Sequence, residues 1–155
     1  ELTVADAEVG LMKGADRLNQ VPPDAQAIFE RNVRTMVDVS LSGGAAVILS
    51  SFATLHELDP DALLNGMTTL KEHKLFSLLH FTPGLSLRGI FTGIARYKFM
   101  LRNISITRNT AWVDNAMLIE SIDDNFLDCV HLSKNGVERM ARNFLPAVPA
   151  QFKRE

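Results

Sequence analysis

Phe29, Val33, Met36, Val37 and Ser40 recur at the spacing of one helical face, and Val21-Pro22-Pro23-Asp24 ahead of them supplies a stop and a cap. The spacing predicts a helix over 24–41, ended by Ser42-Gly43-Gly44. Ala45-Ala46-Val47-Ile48-Leu49-Ser50 follows as a short unbroken apolar run, the pattern of a strand buried on both faces of a parallel sheet, with Ser50-Ser51-Phe52 at its C-terminal edge. Asp59-Pro60 opens a helix carrying Leu63, Leu64, Met67 and Leu70, and a further helical stretch over 71–81 stops at Thr82-Pro83-Gly84. Ile90, Ile94, Tyr97, Leu101 and Ile104 then repeat every three or four residues and predict a long helix over 87–107. Residues 110–114 read as a second short strand ending in a carboxylate. Last, Ser133 is placed to cap a helix whose apolar face is Val137, Met140, Ala141, Phe144 and Leu145, before Pro146 and Pro149 close it. Residues 1–20 show no sustained period and read as a loop with a short helix.

Helix, strand, helices, strand, loop and helix in that order make an α/β crossover pattern. Two strands are too few for a doubly wound sheet, which needs about four to six, and parallel strands cannot be left with both edges open. The expectation is one domain over 1–155 that is incomplete, its remaining strands coming from a missing N-terminal half of the same fold or from another chain.

Composition narrows the function classes. Among 155 residues, 46% are hydrophobic and 22% charged, enough apolar material for a core, and no apolar run reaches transmembrane length. A net charge of -2 does not suit a general nucleic-acid binder. The single cysteine, Cys129, excludes an internal disulfide and a cysteine-based zinc site, and fits a reducing, cytoplasmic setting. No basic-then-apolar segment follows Glu1, so no targeting signal is expected. Charge is unevenly placed: residues 61–110 hold two acids and seven bases, and no acid occurs from His73 to Val113. There Lys74, Arg88, Arg96, Lys98, Arg102 and Arg108 alternate with apolar residues. A core-packed helix pair with a solvated basic face has this pattern. So does a cover over a site that receives acyl chains or anionic groups.

The most specific chemical arrangement is Asp128-Cys129-Val130-His131 just ahead of the last helix. An aspartate three residues before a histidine can hold one imidazole nitrogen and leave the other free, which is how a general base is oriented. Spacing alone does not separate this from a surface pair or a helix-capping network. Other candidates carry less. His56, His73 and His80 have no accompanying acids with ligand spacing, so no metal site is expected, and no Gly-rich phosphate loop or other cofactor motif is present. Cys129 reads as a buried structural thiol, and Asp114 as a cap for the turn that follows its strand.

The stretch Phe126-Leu127-Asp128-Cys129-Val130-His131-Leu132-Ser133-Lys134-Asn135-Gly136-Val137 resembles the last sequence block of the SGNH, or GDSL, hydrolases, in which Asp-x-x-His precedes the C-terminal helix. The helix and strand through Ser50, and the stretch from Tyr97 through Asp114, are similar to two further parts of that family, so the resemblance runs over 24–148. It implies the C-terminal part of a flavodoxin-like, three-layer α/β fold with parallel strands. It also implies a serine esterase or acylhydrolase acting on a small-molecule or lipid ester, without a cofactor, in which His131 is the base and Asp128 its orienting acid. The family's Gly-Asp-Ser, glycine and Gly-x-Asn blocks do not occur here, and neither Ser42 nor the Ser50-Ser51 pair has the surroundings of the family's nucleophile. The nucleophilic serine is therefore expected upstream of this chain. The alternative from a different class is a noncatalytic α/β or helical interaction domain in which Asp128 and His131 cap the last helix.

Overall fold

The structure, a computed structural model, describes residues 17–55, 79, 82 and 84–149. The helices expected over 59–81 lie outside the described residues, apart from Leu79, and so do His56, His73, His80 and the first sixteen residues.

Helix α1 spans Pro23–Ser42. Pro23 stands in its first turn, where a missing N–H removes no helical bond, and Asp24 adds a negative charge at the positive end of the helix dipole. Val33 and Val37, one turn apart, are its buried positions, whereas Met36 faces out. The helix closes with Ala45 N–H donating to Ser40 O and Gly44 N–H to Leu41 O, both at 3.0 Å. This double bond pattern needs a left-handed residue, and Gly44 supplies it at φ 78°. Strand β1, Ile48–Ser50, follows at once.

Helix α2, Leu87–Arg108, is capped by Ser86, whose side chain accepts from Gly89 N–H. It ends as α1 does: Thr110 N–H donates to Ser105 O and Asn109 N–H to Ile106 O, with Asn109 in the left-handed region at φ 51°. Strand β2, Ala111–Val113, runs parallel to β1 in the register Ile48 to Ala111, Leu49 to Trp112 and Ser50 to Val113. The molecule is thus mixed α/β, with a small two-stranded parallel sheet. Each β1 residue is half-buried, so the full burial on both faces expected of this strand is not found among the described residues. Val47 and Leu49, which share a face, pack against Val33, Val37 and Ile104 of α1 and α2, and among the described residues no equivalent cluster forms around Ile48.

Beyond β2 lie a short helix α3, Asn115–Leu118, a 3₁₀ turn, Asp123–Asn125, helix α4, Lys134–Phe144, and a final 3₁₀ turn, Leu145–Ala147. Of the face the sequence predicts for α4, Val137, Met140, Ala141, Phe144 and Leu145, only Met140 and Phe144 turn inward, so the covered stripe is rotated from the predicted one. Gly136 is buried and Met140, Asn143 and Phe144 are half-buried, while Val137, Ala141 and Leu145 face outward. Gly136 sets this rotation, because a Cβ there would stand 2.1 Å from the carbonyl oxygen of Asn125. Among the described residues no helix is long and apolar enough to cross a membrane.

Gly136→Ala must push α4 away from a backbone atom that cannot yield, so it is expected to destabilise the fold by about 1–3 kcal/mol. Gly84→Ala, where a Cβ meets nothing within 4 Å, is the control. Denaturant unfolding of both variants checks this; equal stability of the two contradicts the close approach.

Candidate functional site

Between the last 3₁₀ turn before α4 and α4 itself, the chain makes a miniature antiparallel pair. Phe126 bridges Leu132, Ser133 N–H donates to Asn125 O at 2.9 Å, and Leu127 N–H donates to His131 O at 2.8 Å. Asp128, Cys129 and Val130 form its tip. In a regular ladder His131 N–H would return a bond to Leu127 O. Here it donates to Asp128 Oδ1 at 2.8 Å, and Val130 N–H donates to the same oxygen at 2.8 Å. An aspartate side chain that takes up the donors of the residues after it is what allows so short a turn to close.

The other carboxylate oxygen, Oδ2, lies 2.7 Å from His131 Nδ1. An ionised carboxylate can only accept, so Nδ1 carries the proton and Nε2 of the neutral ring presents a lone pair. Nε2 has no hydrogen-bond partner among the described residues, and the imidazole is 66% exposed. Burial pushes the Asp128 carboxyl up, but the N–H groups of Val130 and His131 and the imidazole outweigh it and hold the carboxyl down at about 2. The charge that orients the ring is therefore present throughout the neutral range.

Two clusters root the turn. Cys129, 1% exposed, sits with Leu79, Leu87, Ile90 and Phe91 at the start of α2, flanked by Val130. Phe126 packs with Ala53, Leu55 and Ile119, flanked by Leu132 and Met140. Leu55 N–H also donates to Cys129 O at 3.0 Å, which ties the exit of β1 to the turn, and Ser121 Oγ donates to Leu55 O. Cys129 is thus the buried thiol its position implied.

Asp128 and His131 do not cap α4. That role belongs to Ser133, whose Oγ accepts from Gly136 N–H at 3.2 Å. Asp114 likewise departs from its expected capping role: it stands at the N-cap position just before α3, yet its side chain caps no helical N–H, and its carboxylate accepts from Ser51 Oγ at 2.7 Å and pairs with Lys98 Nζ at 3.1 Å. Ser51 takes over the cap, accepting from Ala116 N–H at 2.8 Å. Around them Asn115 Nδ2 donates to Ser50 Oγ and Asn143 Nδ2 to Asn115 Oδ1. This buried polar network joins the ends of both strands to α4. Asn115, Asn143 and Lys98 carry no sequence signal for it, because their roles depend on two strand ends meeting.

The three serines considered as nucleophiles are engaged elsewhere: Ser42 Oγ with Asp38 O, Ser50 Oγ with Ser51 O and Asn115, and Ser51 Oγ with Asp114. Three bases of the acid-free stretch meet groups of the protein. Lys98 meets Asp114, Arg108 meets Asp38 at 2.6 Å, and the Arg102 guanidinium lies 5.5 Å from the Trp112 ring centre. A shallow groove of about 280 Å³ between Lys98, Phe99, Arg102, Trp112 and Asp114 lies apart from Asp128 and His131. Among the described residues no set of His, Cys, Asp and Glu comes together as metal ligands.

Comparison with protein-family models, with curated proteins and with solved structures finds no significant match for the chain.

Because the Asp128 carboxyl is held below its unfolded value, its ionised form stabilises the fold; that contribution is complete above about pH 4 and is lost as the pH falls toward about 2. Asp128→Asn keeps an acceptor for the turn but loses the charge. Its melting temperature is expected below wild type at neutral pH, with the gap closing on acidification through that window. A gap independent of pH contradicts the pairing.

Proposed function

We propose that this chain supplies the acid and base of an SGNH-type serine ester hydrolase, whose nucleophilic serine lies upstream of it. The observation that carries the reading is the oriented pair: a carboxylate held by two backbone donors, bonded to Nδ1 of an exposed imidazole whose Nε2 has no hydrogen-bond partner among the described residues. In this reaction His131 Nε2 takes the serine proton as Oγ attacks the ester carbon. It then gives that proton to the alcohol oxygen as the carbon–oxygen bond breaks. Water, deprotonated by the same nitrogen, releases the acid and restores the serine. Asp128 keeps the ring in the required tautomer and balances the transient imidazolium.

The fold reading goes with it. β1 and β2 are the last two strands of a flavodoxin-like parallel sheet, and the strands that complete it come from the segment that carries the serine. In support, β1 pairs only with β2 among the described residues, each strand follows a long helix, and the Asp-x-x-His turn is tied to the exit of β1. The substrate is a small-molecule or lipid ester.

In the polypeptide that includes the upstream segment, His131→Ala is expected to abolish hydrolysis of p-nitrophenyl acetate. Asp128→Asn is expected to lower kcat by about 10³–10⁴ while leaving a measurable remainder, since the ring keeps its chemistry but loses its orientation. A folded His131→Ala protein as active as wild type would overturn the assignment. Fluorophosphonate labelling gives a separate check: the 155 residues alone are expected to remain unlabelled, and the longer polypeptide to react at one serine. Stoichiometric labelling at Ser42, Ser50 or Ser51 places the nucleophile within this chain instead.

A further inference from the structure

The miniature antiparallel pair does more than hold the imidazole. Phe126 and Leu132 stand directly opposite each other in a single bridge, and one step toward the tip Leu127 N–H donates to His131 O at 2.8 Å, which sets these two residues across the turn from each other. Side chains alternate between the faces of such a pair, and opposite residues share a face with Cβ atoms roughly 5 Å apart. Burial agrees with this alternation. Phe126 is 3% exposed and packs inward with Leu132 flanking its cluster, whereas Leu127 and the His131 side chain are both exposed, at 73% and 66%, as residues that share the outward face would be. A lone exposed leucine is ordinary; one joined through its backbone to the residue that carries the base is a neighbour of whatever that base touches.

We propose that Leu127 contacts the leaving alcohol of the ester and makes the site select apolar alcohols. This rests on the reading of His131 as the base. His131 must pass its proton to the alcohol oxygen, so that oxygen comes within hydrogen-bond reach of the ring. The carbon chain attached to it then lies within a side chain's reach of the ring, where Leu127 offers only methyl groups. An alkyl chain gains by covering them, while a polyhydroxylated alcohol finds no partner on that side for its hydroxyls. The acyl group extends from the other side of the reacting carbon, so its length is read elsewhere.

Two ester series on the full polypeptide separate these effects. In methyl, butyl and hexyl acetate only the alcohol grows; in ethyl acetate, butyrate and hexanoate only the acyl group does. Wild type is expected to favour hexyl over methyl acetate in kcat/KM. Leu127→Ala is expected to cut that preference about tenfold and to leave the ratios of the acyl series at their wild-type values. Leu127→Ser, which adds a hydroxyl, is expected to reduce it at least as far. Because the side chain is exposed, both variants should melt with wild type, and circular dichroism verifies it. Hydrolysis that depends on His131 but shows the same alcohol preference in all three proteins overturns the alcohol contact alone. So does a parallel change in both series. Hydrolysis that survives His131→Ala, or no hydrolysis by wild type, overturns the hydrolase reading and the alcohol contact with it.

Discussion

The Asp128 carboxylate is asked to do three things with two oxygens, and the local structure depends on its doing all of them. One oxygen accepts the N–H groups of Val130 and His131, which the tip of so tight a turn would otherwise leave unpaired. The other fixes the imidazole. The backbone bonds and the ring bond support each other: the turn cannot relax without releasing the ring, and the ring cannot rotate without removing charge stabilisation from the turn. The carboxyl is held ionised by the same donors that shape the backbone, so folding of the turn and orientation of the imidazole come from one interaction.

A turn this short needs roots, and it has two. Residues alternate inward and outward along it: Phe126 enters one cluster, Cys129 another, and Leu132 returns to the first. The first cluster joins the turn to the exit of β1 and to α4; the second joins it to the opening turns of α2. Burying side chains of this size is worth about 2 kcal/mol each, enough to hold an irregular segment in one place. Gly136 completes the arrangement by letting the start of α4 close on the Asn125 carbonyl, so that Ser133 can serve both as a partner of Asn125 and as the helix cap.

At the other side of the sheet end, a different economy operates. Ser51 and Asp114 exchange the roles their positions suggest. The serine just past β1 caps α3, and the aspartate just before α3 binds the serine and Lys98. Such an exchange is favourable because a buried hydroxyl can donate and accept at once, satisfying a carboxylate and a helix N–H together. Two basic residues of α2, Lys98 and Arg108, pair with carboxylates, and Arg102 lies over the Trp112 ring, while Arg88 and Arg96 stay exposed.

Regular elements followed from local pattern. Helices α1 and α2 lie within a residue or so of the spans their periodicity predicts, because a repeat near 3.6 and a terminal Gly or Asn in the left-handed region are local signals. Ser133 was identifiable as a cap for the same reason, and Asp-x-x-His as a pair able to meet, because its partners are three residues apart. Sequence could not decide whether that pair orients a ring or caps a helix, since both uses need the same residues; the competing cap from Ser133 and the two diverted backbone donors decided it. Nor could periodicity tell which stripe of α4 is covered. Val137, Met140 and Phe144 are equally apolar, and the choice was made by a carbonyl eleven residues upstream of Gly136 that tolerates no Cβ. The exchange between Ser51 and Asp114, and the backbone bond from Leu127 to His131, depend on segments brought together from different places or folded back on themselves. Local sequence determines which contacts a segment is able to make; which of them it does make is decided where the segments compete for the same space.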